Sequence, residues 1–214
     1  MPGRDQPSII KPYNFSQDRN FLGYESGKPE FVEGQDNLYL VQGNYTYEST
    51  EDVLKGDGKT TLSSTVRTFN KFHLLTKEVK VQQGTRTTTQ ITYNEDPSLA
   101  FYQQPANLQK PRAVVTRYED LKASTQREET VKTETDDHGN TLSTLEKTGV
   151  KTAYEYYPAA GMKGKCPADP FGFVRYVKRI TVSPAADAKG SAVAKSTEYT
   201  YLKKSTIRKA PSVY

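Results

Sequence analysis

The chain has 214 residues and a formal charge of +5, from 30 Lys and Arg against 25 Asp and Glu. Its mean hydropathy is −0.78, yet it carries 15 Tyr and 8 Phe, an aromatic content that excludes a disordered polar chain. The single cysteine, Cys166, excludes an internal disulfide and a multi-cysteine metal cluster, and no apolar stretch approaches the ~20 residues of a membrane-spanning helix.

Residues 1–35 are rich in Gly, Pro, Asn and Gln and read as irregular, with one edge strand. Met1-Pro2-Gly3-Arg4-Asp5-Gln6 lacks the apolar core of a secretion signal. The first strand is expected through Leu38, Leu40, Val41, Tyr45 and Tyr47. Ser49 to Lys55 reads as one helical turn capped by Ser49, ended by Gly56-Asp57-Gly58. From Thr60 to Tyr93 the pattern is an antiparallel meander. Val66 to Phe69 forms one strand, and Phe72 to Leu75 leads into another carrying Val79 and Val81. Gln83-Gly84 turns the chain, and Thr87, Thr89, Ile91 and Tyr93 then share a face.

Residues 94–111 contain Pro97, Pro105 and Pro111 and read as a longer loop with a helical turn near Ala106-Asn107-Leu108. Strands resume at Val114 to Tyr118 and continue through Arg127 to Thr135. Asp136-Asp137-His138-Gly139-Asn140 is a turn, with Gly139 free to take positive φ. Leu142 and Leu145 open the next strand, Gly149 turns it, and Thr152, Tyr154 and Tyr156 share a face on the return. Residues 157–172 form a Pro/Gly-rich loop, Phe173 to Val182 a strand, Pro184 to Gly190 a loop and Ala192 to Leu202 a final strand. No apolar 3.6-residue period runs for ten residues, which excludes a helical domain.

Aromatic marks recur along this pattern every twenty-odd residues, at Tyr47, Phe69, Tyr93, Tyr118, Tyr156, Tyr176 and Tyr199, with Thr135 in the gap. Each interval holds about two short strands, so one repeat is expected to be one hairpin in an array that buries its faces against neighbours. The reading is an all-β chain with a β-repeat domain over 36–202, an irregular segment over 1–35 and a basic tail over 203–214.

Thr135-Asp136-Asp137-His138-Gly139-Asn140-Thr141-Leu142, closed by Gly149 and followed by Tyr154-Glu155-Tyr156, resembles a YD repeat of the RHS family, with Thr135 at the position of the leading Tyr. Phe69-Asn70-Lys71-Phe72-His73-Leu74-Leu75 is similar to a diverged copy, with Asn70 for Asp and His73 where Gly would stand. Thr65 to Thr76, and Tyr156-Tyr157-Pro158-Ala159-Ala160-Gly161 with Cys166-Pro167-Ala168-Asp169-Pro170-Phe171-Gly172-Phe173-Val174-Arg175, resemble segments of large bacterial RHS-repeat proteins related to insecticidal toxin complexes, some of them described as sugar-binding. The likeness covers roughly 36–202. It implies antiparallel hairpins forming a curved sheet, a fragment of a hollow β-shell that encloses a toxic cargo. The family's toxic region and self-cleaving core motif lie at the C-terminal end of the parent proteins, and neither is found in this chain. Implied partners are other shell segments or toxin-complex subunits, in a secreted or cell-surface setting as part of a larger bacterial protein. Exposed sheet edges imply self-association.

No enzyme is expected, and no cofactor. The sequence contains no nucleophile elbow, Walker loop, dinucleotide glycine motif or paired-His zinc motif. His138 beside Asp136 and Asp137 has too few ligands for a closed metal site and reads as a polar turn. His73 reads as a turn or partly buried residue. Asp169 and Asp187 lie in loops, and Glu95 and Asp96 precede Pro97; such carboxylates run acid/base chemistry on sugars only when paired in space. Cys166 lies near Lys163 and Lys165, which favour a thiolate, but Pro167 points to a rigid loop and a structural thiol. The dense Tyr154, Tyr156 and Tyr157 offer either a sheet core or a platform for sugar rings, which makes a carbohydrate-binding β module the alternative function. Gly84, Gly139, Gly149 and Gly161 read as turn residues. Nucleic acid is not an expected partner. Basic residues such as Arg67, Lys80, Arg86, Arg112, Arg117 and Lys132 are scattered, and the one tight cluster, Lys203, Lys204, Arg208 and Lys209, reads as a solvated tail. Asn14-Phe15-Ser16 and Asn44-Tyr45-Thr46 match the N-glycosylation acceptor pattern, idle under the bacterial origin the resemblance implies.

Overall fold

Among the described residues, twelve strands form antiparallel meanders that are not closed into a barrel. The computed structural model describes residues 9–16, 33–34, 37, 45–186 and 192–203. The chain divides into two compact units, Met1–Gly139 and Asn140–Tyr214.

The first unit holds β1 (Ile9–Ile10), β2 (Tyr13–Phe15), β3 (Thr46–Lys55), β4 (Thr61–Asn70), β5 (Leu75–Gln82), β6 (Thr85–Tyr93), β7 (Pro111–Asp120) and β8 (Thr125–Thr135). From β3 to β8 each strand pairs with the next in sequence, while β1 and β2 both lie along β3. The second unit holds β9 (Thr141–Leu145), β10 (Lys151–Tyr156), β11 (Val177–Ser183) and β12 (Lys195–Glu198), again paired in series.

Directly opposed residues share a face, and the registers bring apolar partners together. Val66 faces Val79, and Ile91, Val114 and Val131 align across β6, β7 and β8. Tyr47 faces Phe69, with ring centroids 5.0 Å apart and planes 13° apart; a stacked pair of this kind is worth about 0.5–1.5 kcal/mol beyond its buried area. The core is nonetheless thin. Among the described residues only Phe72, Leu108, Tyr157 and Cys166 are buried apolar side chains, and none is completely enclosed. Thr-rich strands fit such a sheet, because Thr suits a pleated surface that stays half wet.

The aromatic recurrence has a geometric meaning. In the first unit Tyr47, Phe69, Tyr93 and Thr135 all lie at one end of their hairpins, whereas Tyr118 lies at the other, beside the β7–β8 turn. Tyr93 to Thr135 is therefore a single hairpin interval, lengthened by the 94–110 loop. In the second unit Tyr156, Tyr176 and Tyr199 likewise share one end. The ladder slips by one residue beside three of these marks, at Thr68/Phe69, Thr92/Tyr93 and Glu155/Tyr156. Such bulges sharpen the local twist and re-aim a side chain where pairing ends.

Four expectations change. Ser49 to Lys55 is not helical: it is the body of β3, because its residues pair with β4 from Ser49↔Arg67 to Leu54↔Thr61, and β-branched Thr50 and Val53 suit that sheet. The helical turn of the long loop lies at Phe101–Gln103, while residues 106–109 form plain turns. β11 starts at Val177 rather than Phe173, since the N–H of Phe173 is taken by the Asp169 side chain. The last strand contracts to Lys195–Glu198. The strand expected through Leu38, Leu40 and Val41 lies outside the described residues, as do part of the 184–190 loop and most of the basic tail.

Candidate interaction surface

Three turns at the hairpin ends share one design. Asn70 accepts through Oδ1 from the N–H groups of Phe72 and Leu74, both at 3.0 Å, while its carbonyl accepts from His73 N–H at 3.0 Å. Asp169 accepts through Oδ1 from Phe171 N–H at 2.9 Å and Phe173 N–H at 3.2 Å, and its carbonyl accepts from Gly172 N–H at 3.2 Å. Asp136 accepts through Oδ1 from His138 N–H at 2.9 Å, and its carbonyl accepts from Gly139 N–H at 3.0 Å. The fourth residue is left-handed in each, with φ of 58° at His73, 79° at Gly139 and 76° at Gly172. A short acceptor side chain thus satisfies amides that the ladder leaves over, and the left-handed residue reverses the chain.

Around the Asn70 turn the chain supplies its own cover. Asn70 Nδ2 donates to Glu95 Oε2 at 2.5 Å and Lys71 Nζ to the Pro97 carbonyl at 2.8 Å. Phe72, 4% exposed, meets Phe101 at 5.9 Å between centroids. The loop is tied down by Asn107, whose Nδ2 donates to Thr135 Oγ1 at 3.0 Å and to the Asp136 carbonyl at 3.2 Å. The Pro-rich 94–110 segment is thus a lid fastened over one end of the sheet. His73 stays exposed, with Nδ1 2.8 Å from the Tyr47 hydroxyl.

The Asp169 turn is fastened differently. The Asp169 side chain is fully enclosed, and Arg175 Nε lies 2.5 Å from its Oδ2. Burial opposes ionisation, but the Phe171 and Phe173 N–H groups and Arg175 outweigh it and hold the carboxyl below its ordinary range. Beneath lies the core of this unit. Tyr157 donates its hydroxyl to the Tyr199 carbonyl at 2.8 Å, and Tyr201 packs against Tyr157 and Tyr176. Gly161 closes the loop: a Cβ there would sit 2.6 Å from the Cys166 carbonyl oxygen and from backbone atoms of Pro167 and Ala168.

Charged residues knit the sheet faces rather than converge. Arg67 bridges Glu78 at 2.8 Å and Glu51 at 3.2 Å across β3, β4 and β5. Desolvation works against its charge, and the two carboxylates overcome it. Arg179 bridges Glu155 at 3.2 Å and Glu198 at 2.5 Å across β10, β11 and β12. One face of β5 to β8 carries a shallow groove of about 450 Å³ floored by Val79, Val81 and Val115 and edged by Lys77, Arg86 and Arg117. A second hollow of about 470 Å³ lies by Tyr118, Asp120 and Arg127, where the Arg127 guanidinium covers the Tyr118 ring at 4.8 Å.

The residues singled out in the sequence are therefore dispersed into structural roles. Glu95 serves Asn70, and Asp96 accepts from Ser98 N–H and Oγ. Asp187 lies outside the described residues. Cys166 is buried, and burial pushes its thiol up, against a reactive thiolate. Of the three tyrosines Tyr157 is the core residue, while Tyr154 and Tyr156 are half-buried, the latter donating to the Thr141 carbonyl at 2.9 Å. Among the described residues no group of three His, Cys, Asp or Glu side chains is placed to hold a metal ion. Sequence reasoning missed the Asp169–Arg175 pair and the exposed Phe171 and Phe173; their signal was the same Asx-x-x-Gly spacing that marked Asp136. The chain matches no model of a known protein family and none of the characterised proteins compared with it.

Proposed function

We propose that this chain is a non-catalytic wall segment of the RHS/YD-repeat type, contributing lining or docking surface to a β-shell around a toxic polypeptide, in a secreted or cell-surface assembly of a larger bacterial protein. The observation that carries the reading is the recurrence of one turn design at Asn70, Asp136 and Asp169 at the ends of serially paired hairpins. A sheet with so few buried side chains works as a surface, and it gains stability when its faces and edges are covered. Titratable groups are spent on cross-strand pairs and turn amides, which suits a scaffold. The carbohydrate alternative is less favoured, because Arg127 already occupies a face of Tyr118 beside one of the two hollows.

The test is to co-express the chain, within its natural reading frame, with the polypeptide encoded downstream and digest the purified product with a broad protease. The expected result is a downstream polypeptide that survives at least about tenfold longer than when expressed alone, a kinetic measure of enclosure. Equal digestion rates, or a chain that purifies free of that polypeptide, overturn the reading. Saturable binding of a glycan at micromolar concentration would favour the alternative instead.

A further inference from the structure

The same turn that buries one phenylalanine displays two others. At Asn70 the third residue, Phe72, is 4% exposed beneath Phe101. At Asp169 the third and fifth residues, Phe171 and Phe173, are 73% and 59% exposed, with rings 6.4 Å apart. These rings are not on a loose loop. Both backbone N–H groups are held by one enclosed carboxylate oxygen, whose partner oxygen is clamped by Arg175. Rigid apolar groups raised on a fixed backbone are the anatomy of a binding hot spot, since little ordering cost remains on docking.

We propose that Phe171 and Phe173 form a docking anchor for an acidic polypeptide loop carrying an aromatic side chain, supplied by another protein. Charge and chemistry identify the occupant. Residues 157–176 carry Lys163, Lys165 and Arg175 against Asp169 alone, and the Arg175 side chain is half exposed. The 94–110 segment that covers the equivalent Phe72 has the opposite balance: it carries Glu95 and Asp96 against Lys110 alone, with Phe101 as the covering ring. The first unit thus displays the kind of lid that, among the described residues, the Asp169 turn lacks within its own unit. This inference rests on the two turns and stands whether or not the chain lines a shell.

The probe is a synthetic peptide of residues 95–109, titrated into the isotope-labelled full chain by NMR. Expected is saturable movement of the Phe171, Gly172, Phe173 and Arg175 amides, with Kd on the order of 10⁻⁴ M, as befits a short unconstrained segment. Binding weakens several-fold in high salt, and is lost both with the Phe171→Ala/Phe173→Ala variant and with a peptide carrying alanine for its phenylalanine. The substituted rings are exposed, so the variant keeps the spectrum of the remainder; Arg175→Gln, which retains the rings, weakens binding and its salt dependence together. No movement, movement unchanged in the double variant, or movement confined to Phe72 and its lid overturns the proposal. Movement of the same amides with protein concentration alone would identify a second copy as the occupant and overturn the acidic-loop assignment.

Discussion

His73 occupies the position in its turn that Gly139 occupies in the next one: φ is 58° at the first and 79° at the second, and each N–H closes onto the carbonyl three residues earlier. Histidine bears this conformation better than β-branched residues do, and here its ring is also engaged by the Tyr47 hydroxyl. His73→Gly removes the backbone strain and the exposed hydrogen bond together, so its stability should stay within about 0.5 kcal/mol of the parent. His73→Val increases the strain and loses the bond, and should cost about 1–2 kcal/mol. Urea unfolding of both variants checks the ordering.

Gly161 and Gly164 separate steric from conformational need. Both have φ of 72°, but a Cβ at Gly161 would meet backbone atoms at 2.6 Å, whereas at Gly164 it would meet nothing within 4 Å. Gly164→Ala should cost about 1 kcal/mol, the backbone penalty alone. Gly161→Ala must in addition displace the Cys166–Ala168 backbone, and should cost at least about 3 kcal/mol. Thermal melts, with exposure of Cys166 to a thiol reagent as a local readout, distinguish the two.

Acid should loosen the 157–176 loop through Asp169. Its carboxyl is held below the ordinary range in the folded chain. The stabilisation is therefore complete above the unfolded pKa of ~3.9 and is lost as pH falls through the lower folded value. Asp57, Asp96 and Asp120 are lowered in the same sense by their turn hydrogen bonds, so the whole chain loses stability below about pH 4. In Asp169→Asn the side-chain oxygen still accepts from Phe171 and Phe173, but the ion pair is gone. The variant should be less stable near neutrality and show a flatter acid limb, read as amide exchange at Phe171 and Phe173 against pH.

The two Glu–Arg–Glu bridges should differ in strength. Arg67 and Glu51 are partly buried, with side chains 32% and 20% exposed, whereas Glu155 and Glu198 on either side of Arg179 are 47% and 56% exposed. Arg67→Gln leaves two carboxylates facing each other on one sheet face and should cost about 1 kcal/mol, more at low salt. Arg179→Gln should cost less than Arg67→Gln, with the effect vanishing in high salt. Denaturation at two ionic strengths provides the comparison.

Much of this architecture was legible because its signals are local. Alternation over Val66–Phe69 and Thr87–Tyr93 placed the strands, and the Asx-x-x-Gly spacing at Asp136 located a turn whose geometry then recurs at Asn70 and Asp169. What failed depended on partners distant in sequence. Ser49 to Lys55 has a respectable helix cap, but nothing in that segment reveals the registry with β4 that overrides it. The early strand start at Phe173 erred because the Asp169 side chain takes over a backbone group that a strand would use. Tyr118 broke the aromatic count for a similar reason: the inserted 94–110 lid placed a mark at the wrong end of a hairpin. No single residue announced a site, and the surface that emerged required knowing that Phe72 is covered while Phe171 is not.

The central claim is that serially paired hairpins make a thin sheet with little apolar interior. The heat-capacity change of unfolding measures that directly, because it scales with the apolar surface exposed. Ordinary globular domains give about 12–15 cal/mol/K per residue, and this chain should fall below about 10 when measured by calorimetry across a range of pH. A value in the ordinary range would require a substantial buried core and would contradict the account.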